Sequence, residues 1–409
     1  MRSLSTFAVF AALSVSFNAT AAESVIQAQG PKGPLAGTML AASSPNAPVV
    51  LIVPGSGPTD RDGNSPAGLK ASSYRLLAEG LLARDITTVR IDKRGLFGSQ
   101  AAIPDPNAVT IDDYAADVHT WASAIHDRTG AACVWVLGHS EGGLVALDAA
   151  QNPTDICGLI LVAAPGRRAG DVLREQLKAN PANAPILDQA LAAVTQLEAG
   201  KRVDTSAMHP ALLPLFRPEV QGFVINEFSF DPAQLIAPIR KPVLIMQGNR
   251  DIQVTVADAE RLKQALPAAK LTILPDTNHV LKTVSSDDRA TNVATYADPK
   301  LPLAPGAVDA IANFIASAAQ ADAETKPDAK SVSRQPDEEK KPDLKSDSRQ
   351  SDDEKKPDIK SVSRQLDEGK KPDLKSDSRQ SNKKSAPKSK YGSREPNRKS
   401  RPIVWPRFT

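Results

Sequence analysis

Cys133-Val134-Trp135-Val136-Leu137-Gly138-His139-Ser140-Glu141-Gly142-Gly143 runs from a short apolar segment into a serine framed by glycines, and a helix-forming stretch to Ala150 follows directly. An apolar run of this length reads as a buried parallel strand. Glycines two positions to either side of a serine let the backbone fold into a tight strand-to-helix turn, with the hydroxyl projecting above the sheet edge. Without that context Ser140 would be an ordinary helix N-cap. With a strand before it and a helix after it, the turn predicts a nucleophile.

The same alternation extends outward in both directions. Val49–Val53, Ile86–Ile91, the Leu159–Val162 run after Cys157, Val243–Gln247 and Leu271–Leu274 read as strands. Between them lie helical patterns over Tyr74–Ala83, Ile111–Ile125, Glu141–Ala150, Ala257–Leu266 and Val308–Ala318. This order predicts an α/β fold with a mostly parallel sheet and helices on both faces. Residues 23–42 predict an antiparallel hairpin before it. Residues 166–240 interrupt the pattern and predict a helical cap insertion. Phe216, Phe223, Phe228 and Phe230 cluster there; they either pack the insertion onto the sheet or form an apolar, substrate-binding underside.

A neutral hydroxyl needs a base, and the base needs a carboxylate to hold its tautomer. Of the five histidines, His139 lies inside the turn, His119 and His126 on the preceding helix, and His209 in the insertion. His279, on the loop after Leu271–Leu274, is the expected base. Asp251 follows Val243–Gln247 through Gly248-Asn249-Arg250, at a strand end where catalytic loops gather, and is the expected acid. Asp276 is the second choice, three residues from His279 and so poorly placed to orient it. A tetrahedral intermediate needs preorganised donors for its oxyanion. The expected pair is the backbone N–H of Glu141 and that of Ser56, with Gly57 as fallback, in the loop Pro54-Gly55-Ser56-Gly57-Pro58. Asp60, Arg61 and Asp62 are expected to brace that loop through a local ion pair.

The chain's ends differ from its middle. Of 409 residues, 1–22 carry a net charge of +1, the middle −7 and residues 326–409 +9. One folded domain over the whole length is excluded. Arg2, the apolar stretch Leu4–Phe17 and Ala19-Thr20-Ala21 predict a signal peptide over residues 1–21, and hence an exported protein, periplasmic or secreted. In an oxidising compartment Cys133 and Cys157, at the same end of two strands that are neighbours if the sheet is ordered as expected, either form a bridge or remain as two buried thiols. From Lys326 the pattern Lys-Pro-Asp-x-Lys-Ser-x-Ser-Arg-Gln begins four times, fifteen residues apart. The copies lack the apolar side chains a packed repeat requires and predict disorder. The last 29 residues hold nine basic groups and one acid, an end able to attract an anionic surface, with no specific nucleic acid binding expected.

Over residues 23–320 the chain resembles the serine α/β-hydrolases, in the group of esterases and serine aminopeptidase-like hydrolases. The resemblance rests on Gly138-His139-Ser140-Glu141-Gly142, on Gly55-Ser56-Gly57-Pro58 with Asp60-Arg61-Asp62-Gly63, on Asp92-Lys93-Arg94-Gly95, and on the chain order Ser140, Asp251, His279. It implies a catalytic domain over residues 22–325 that uses no metal or cofactor and cleaves small carboxylic esters through an acyl-enzyme. Many relatives carry His where this chain has Pro54. A serine nucleophile argues against relatives that open epoxides or displace halides. The alternatives are a peptidase or amidase of the same fold, and a non-catalytic protein that binds a surface through its basic tail.

Overall fold

The computed structural model describes residues 23–325; the signal-peptide and tail expectations lie outside them. Eight strands form one sheet: β1 (Glu23–Gln29), β2 (Pro34–Leu40), β3 (Val49–Val53), β4 (Thr87–Ile91), β5 (Val134–His139), β6 (Ile156–Val162), β7 (Val243–Gly248) and β8 (Lys270–Leu274). Their spatial order is β1-β2-β4-β3-β5-β6-β7-β8. The expected hairpin β1–β2 is antiparallel and docks antiparallel on β4; all pairs from β4 to β8 are parallel.

Alternation along a strand sends successive side chains to opposite faces, which divides the core. Val49, Leu51 and Val53 join one cluster with α2 (Ile111–Thr129), α3 (Glu141–Ala149) and α9 (Val256–Ala265). Val50 and Ile52 join the other with α1 (Ser73–Leu82) and α11 (Ala307–Thr325). α2 begins at a reciprocal capping box between Thr110 and Asp113 and ends on Gly130 in the left-handed region, φ 76°.

The insertion after β6 is helical, as its sequence predicts: α4 (Ala169–Ala179), α5 (Leu187–Glu198), α6 (Leu213–Phe216), α7 (Gln221–Ser229) and α8 (Pro232–Ile236). It holds a small core of its own, built on Leu177, Val194, Leu197 and Phe216. One helix escaped the sequence reading, α10 (Arg289–Ala294). At six residues it shows too little periodicity to detect, and it packs beside the loop that carries His279.

Cys133, at the entry to β5, and Cys157, on β6, are disulfide-bonded with their Cα atoms 5.2 Å apart, which decides between the two alternatives. The bridge spans 24 positions, and constraining that loop in the unfolded chain is worth about 3 kcal/mol. The double variant Cys133→Ser/Cys157→Ser is expected to lose that much stability in urea titrations. A loss below 1 kcal/mol would show that the bridge contributes little.

Candidate active site

Parallel register lines up the strand ends that bear the site. Val53 pairs with Gly138, His139 with Val162, and Gly248 with Leu274, so the segments following β3, β5, β7 and β8 emerge along one edge. Ser140 sits between β5 and α3 with φ 55° and ψ −123°, a backbone that costs a non-glycine residue about 1–3 kcal/mol. The surroundings hold it there. Ser140 N–H donates to Val162 O at 2.9 Å, and Gly143 N–H donates to Ser140 O at 2.8 Å. A Cβ on Gly138 would lie 2.1 Å from Gly142 O, and one on Gly142 2.3 Å from Val53 O. Both glycines are therefore required by the close approach of helix to strand.

Asp251 and His279 meet as expected, Nδ1 to Oδ2 at 2.7 Å, with side chains almost wholly shielded from solvent. The carboxylate accepts three further bonds: Oδ1 from Gln253 N–H at 2.7 Å and Val254 N–H at 3.0 Å, and Oδ2 from Gln247 Nε2 at 3.1 Å. With Nδ1–H donating to Asp251, Nε2 carries the lone pair. Asp276, the second choice, is at the surface with Arg250. The His279 loop is pinned by Asn278, whose Nδ2 donates to Asn292 Oδ1 on α10 at 3.1 Å and to Thr295 Oγ1 at 2.7 Å.

Ser140, His279, Ser56 and Glu141 line one cavity of about 520 Å³. Ser140 Oγ makes no hydrogen bond to a described residue; catalytic contacts are commonly open without substrate. The N–H groups of Ser56 and Glu141 have no acceptor among the described residues, whereas Gly57, the fallback donor, does not line the cavity.

A buried network joins these parts. Gly55 N–H donates to Tyr74 Oη at 3.0 Å, Tyr74 Oη–H to His139 Nδ1 at 2.9 Å, and His139 Nε2–H to His279 O at 2.8 Å. Only one proton assignment satisfies that chain, with His139 neutral. Beside it, Lys93 Nζ donates to Gly55 O at 2.8 Å and to Glu141 Oε1 at 2.7 Å, and lies 4.9 Å from the centre of the Tyr114 ring. Pro54 offers no side-chain bond to stiffen this loop, and Tyr74 and Lys93 hold Gly55 instead.

Two expectations need correction. The braces of the loop are not local, since Arg61 pairs with Asp92 and Asp62 with Arg90, both on or just beyond β4. Long-range pairing wins because Asp60 spends its carboxylate on the N–H groups of Asp62 and Asn64. Nor do the four phenylalanines form a common underside of the cap. Phe216 is enclosed in the cap core, Phe223 stacks edge-on against Tyr114 in the main core, and Phe230 packs on that core; Phe228 alone lines the cavity. Helical rotation sends neighbours on α7 to different sides, and it turns Glu227 toward the cavity.

The model of the Alpha/beta hydrolase family matches residues 49–328, which include every element of this site. The chain belongs to that family. Among curated relatives, Esterase EstD of Thermotoga maritima is 26% identical over 254 residues, 60% of this chain and 57% of its own. The match thus spans little more than half of that protein's length. The Putative carbamate hydrolase RutD of Rhizobium rhizogenes is 26% identical over 218 residues, 51% of this chain and 80% of its own. Among solved structures, Est1E from Butyrivibrio proteoclasticus aligns with a TM-score of 0.46 at 14% identity, over 72% of this chain and 99% of that one.

In this fold, His139 gives the turn at Ser140 a pH signature. Burial, and to a lesser degree the His279 charge, push its pKa down to about 3, against 6.5 ordinarily. Below pH 6.5 the unfolded chain binds a proton there that the folded chain refuses. Its share of stability is therefore full above pH 6.5 and is lost as pH falls toward 3, at ~1.4 kcal/mol per pH unit. His139→Gln is expected to flatten the stability profile between pH 6 and 4 by about that slope. Parallel profiles in urea titrations would refute the neutral, buried assignment.

Sequence reading missed Tyr74, Lys93, Gln247, Asn278 and Glu227 as parts of this site. Two left a signal: Lys93 falls in a run of three charges, Asp92-Lys93-Arg94, directly after β4, and Glu227 is an acid beside Asn226 in a run otherwise made of Phe, Val and Ile.

Proposed function

We propose that the protein is an exported serine hydrolase that cleaves carboxylic esters through an acyl-enzyme. The observation that carries this reading is the Asp251–His279 pair, oriented to leave Nε2 basic, lining one cavity with a serine on a strained glycine-framed turn. His279 takes the Ser140 proton as Oγ attacks the ester carbonyl, and the two free N–H groups of Ser56 and Glu141 receive the oxyanion. His279 then passes the proton to the departing alcohol. In the second half it deprotonates water, which attacks the acyl carbon, and the proton returns to Ser140. The esterase among the curated relatives supports esters over amides. The Cys133–Cys157 bridge supports an oxidising compartment, in keeping with the leader.

The test uses purified mature protein with short p-nitrophenyl esters, an aminoacyl anilide and a fluorophosphonate probe. Ester turnover and labelling at Ser140 are expected, both lost in Ser140→Ala. Ester hydrolysis surviving in that variant, or faster turnover of the anilide, would overturn the mechanism or the substrate class respectively.

A further inference from the structure

Glu227 lies on α7 with 7% of its surface exposed, facing the cavity that holds Ser140, His279 and Ser56. Its carboxyl has no hydrogen-bond or ion-pair partner among the described residues. The two charges acting on it most strongly are already matched to each other, Glu141 and Lys93 forming their own buried pair. A polar group held out of bulk water without a partner is costly, and no fold element needs this one as an acid. Asn226, its neighbour, does the anchoring of α7, accepting from Ile111 N–H at 2.8 Å and donating to Asp112 Oδ2 at 3.1 Å.

The state of the carboxyl narrows what it can bind. Burial, reinforced by the Glu141 carboxylate and opposed by Lys93, pushes its pKa up to about 8. That direction favours the protonated acid, which presents one O–H donor and one carbonyl acceptor side by side. A hydroxyl offers the complementary acceptor and donor. An alkyl chain would strip water from the acid and return nothing, and an ammonium group would require it to ionise beside Glu141.

We propose that Glu227 is a specificity-determining residue of this cavity, and that it binds a hydroxyl group carried by the ester substrate. The proposal rests on reading Ser140 as the nucleophile of an esterase. A site built to bond a substrate hydroxyl discriminates strongly against the analogue that lacks it, because the enzyme's own polar group is then left bare.

The experiment compares an unsubstituted aliphatic ester with analogues hydroxylated on the acyl side and on the alcohol side, following acid release at pH 7. Wild-type enzyme is expected to prefer one hydroxylated ester by about tenfold or more in kcat/KM. Glu227→Leu is expected to reduce that preference below about twofold, the loss falling on kcat/KM for the hydroxylated ester, with Glu227→Gln retaining part of it. Glu227→Ala, which leaves room for water, is the second deletion variant and is held to the same outcome. Equal wild-type rates on all three esters, or a preference that survives both deletions, would overturn the proposal. So would a wild-type preference for an ammonium-bearing analogue over the hydroxylated one. An enzyme inert to every ester and to the fluorophosphonate probe overturns the esterase reading with it, whereas turnover without preference overturns this inference alone.

Discussion

Asp251→Asn is expected to lower kcat for ester hydrolysis by about four orders of magnitude with little change in KM. The reason is the direction of every hydrogen bond around the carboxylate. Oδ1 accepts from two backbone N–H groups, those of Gln253 and Val254, which cannot reverse their role. An asparagine must therefore keep its oxygen there and turn its amide nitrogen to the Oδ2 position. That nitrogen would face His279 Nδ1 as a donor, forcing the imidazole into the tautomer that carries hydrogen on Nε2. The base then has no lone pair for Ser140. Gln247 cannot relieve the mismatch by flipping, because its Nε2 also donates to Val254 O at 2.9 Å. Steady-state kinetics with a short p-nitrophenyl ester measure the effect, and a loss smaller than about tenfold would mean that Asp251 does not set the tautomer.

Lys93→Met is expected to lower kcat by about a hundredfold and stability by about 3–5 kcal/mol. Lys93 bonds the carbonyl of Gly55 and the carboxylate of Glu141, so it joins the residue preceding one proposed oxyanion donor to the side chain of the other. Methionine fills the volume but releases both. The stability loss comes from Glu141, left as an unpaired carboxylate in a buried position. The double variant Lys93→Met/Glu141→Gln separates the two effects. It removes the buried charge and is expected to recover most of the stability, while kcat stays low and KM stays near wild type. Recovery of kcat together with stability would show that Lys93 only neutralises Glu141 and does not position the donors.

These two effects differ in how visible they were from the chain. Asp251 could be chosen because it lies a few residues beyond a recognisable strand, at the end where loops of such a sheet converge. Lys93 was present in the motif Asp92-Lys93-Arg94-Gly95, but the motif does not say that its three charges serve three different elements. In the fold Asp92 holds Arg61 of the oxyanion loop, Lys93 holds Gly55 and Glu141, and Arg94 reaches Asp113 and Asp117 on α2. The four phenylalanines show the converse. Their clustering in sequence suggested one apolar surface, yet the rotation of α7 and the separate core of the cap divided them, and an acid nobody would choose for an apolar underside took the cavity wall.

Strand and helix order, the elbow at Ser140 and the partners Asp251 and His279 follow from the sequence because each depends on a local pattern: short apolar runs, glycine spacing, or position relative to a strand end. The joining of Cys133 to Cys157, the Gly55–Tyr74–His139–His279 chain, the Lys93 clamp and the unpartnered carboxyl of Glu227 were decided only by tertiary structure. The first three are contacts between residues tens to hundreds of positions apart and the last is an orientation, all set by sheet register and helix rotation, which no short window of sequence contains.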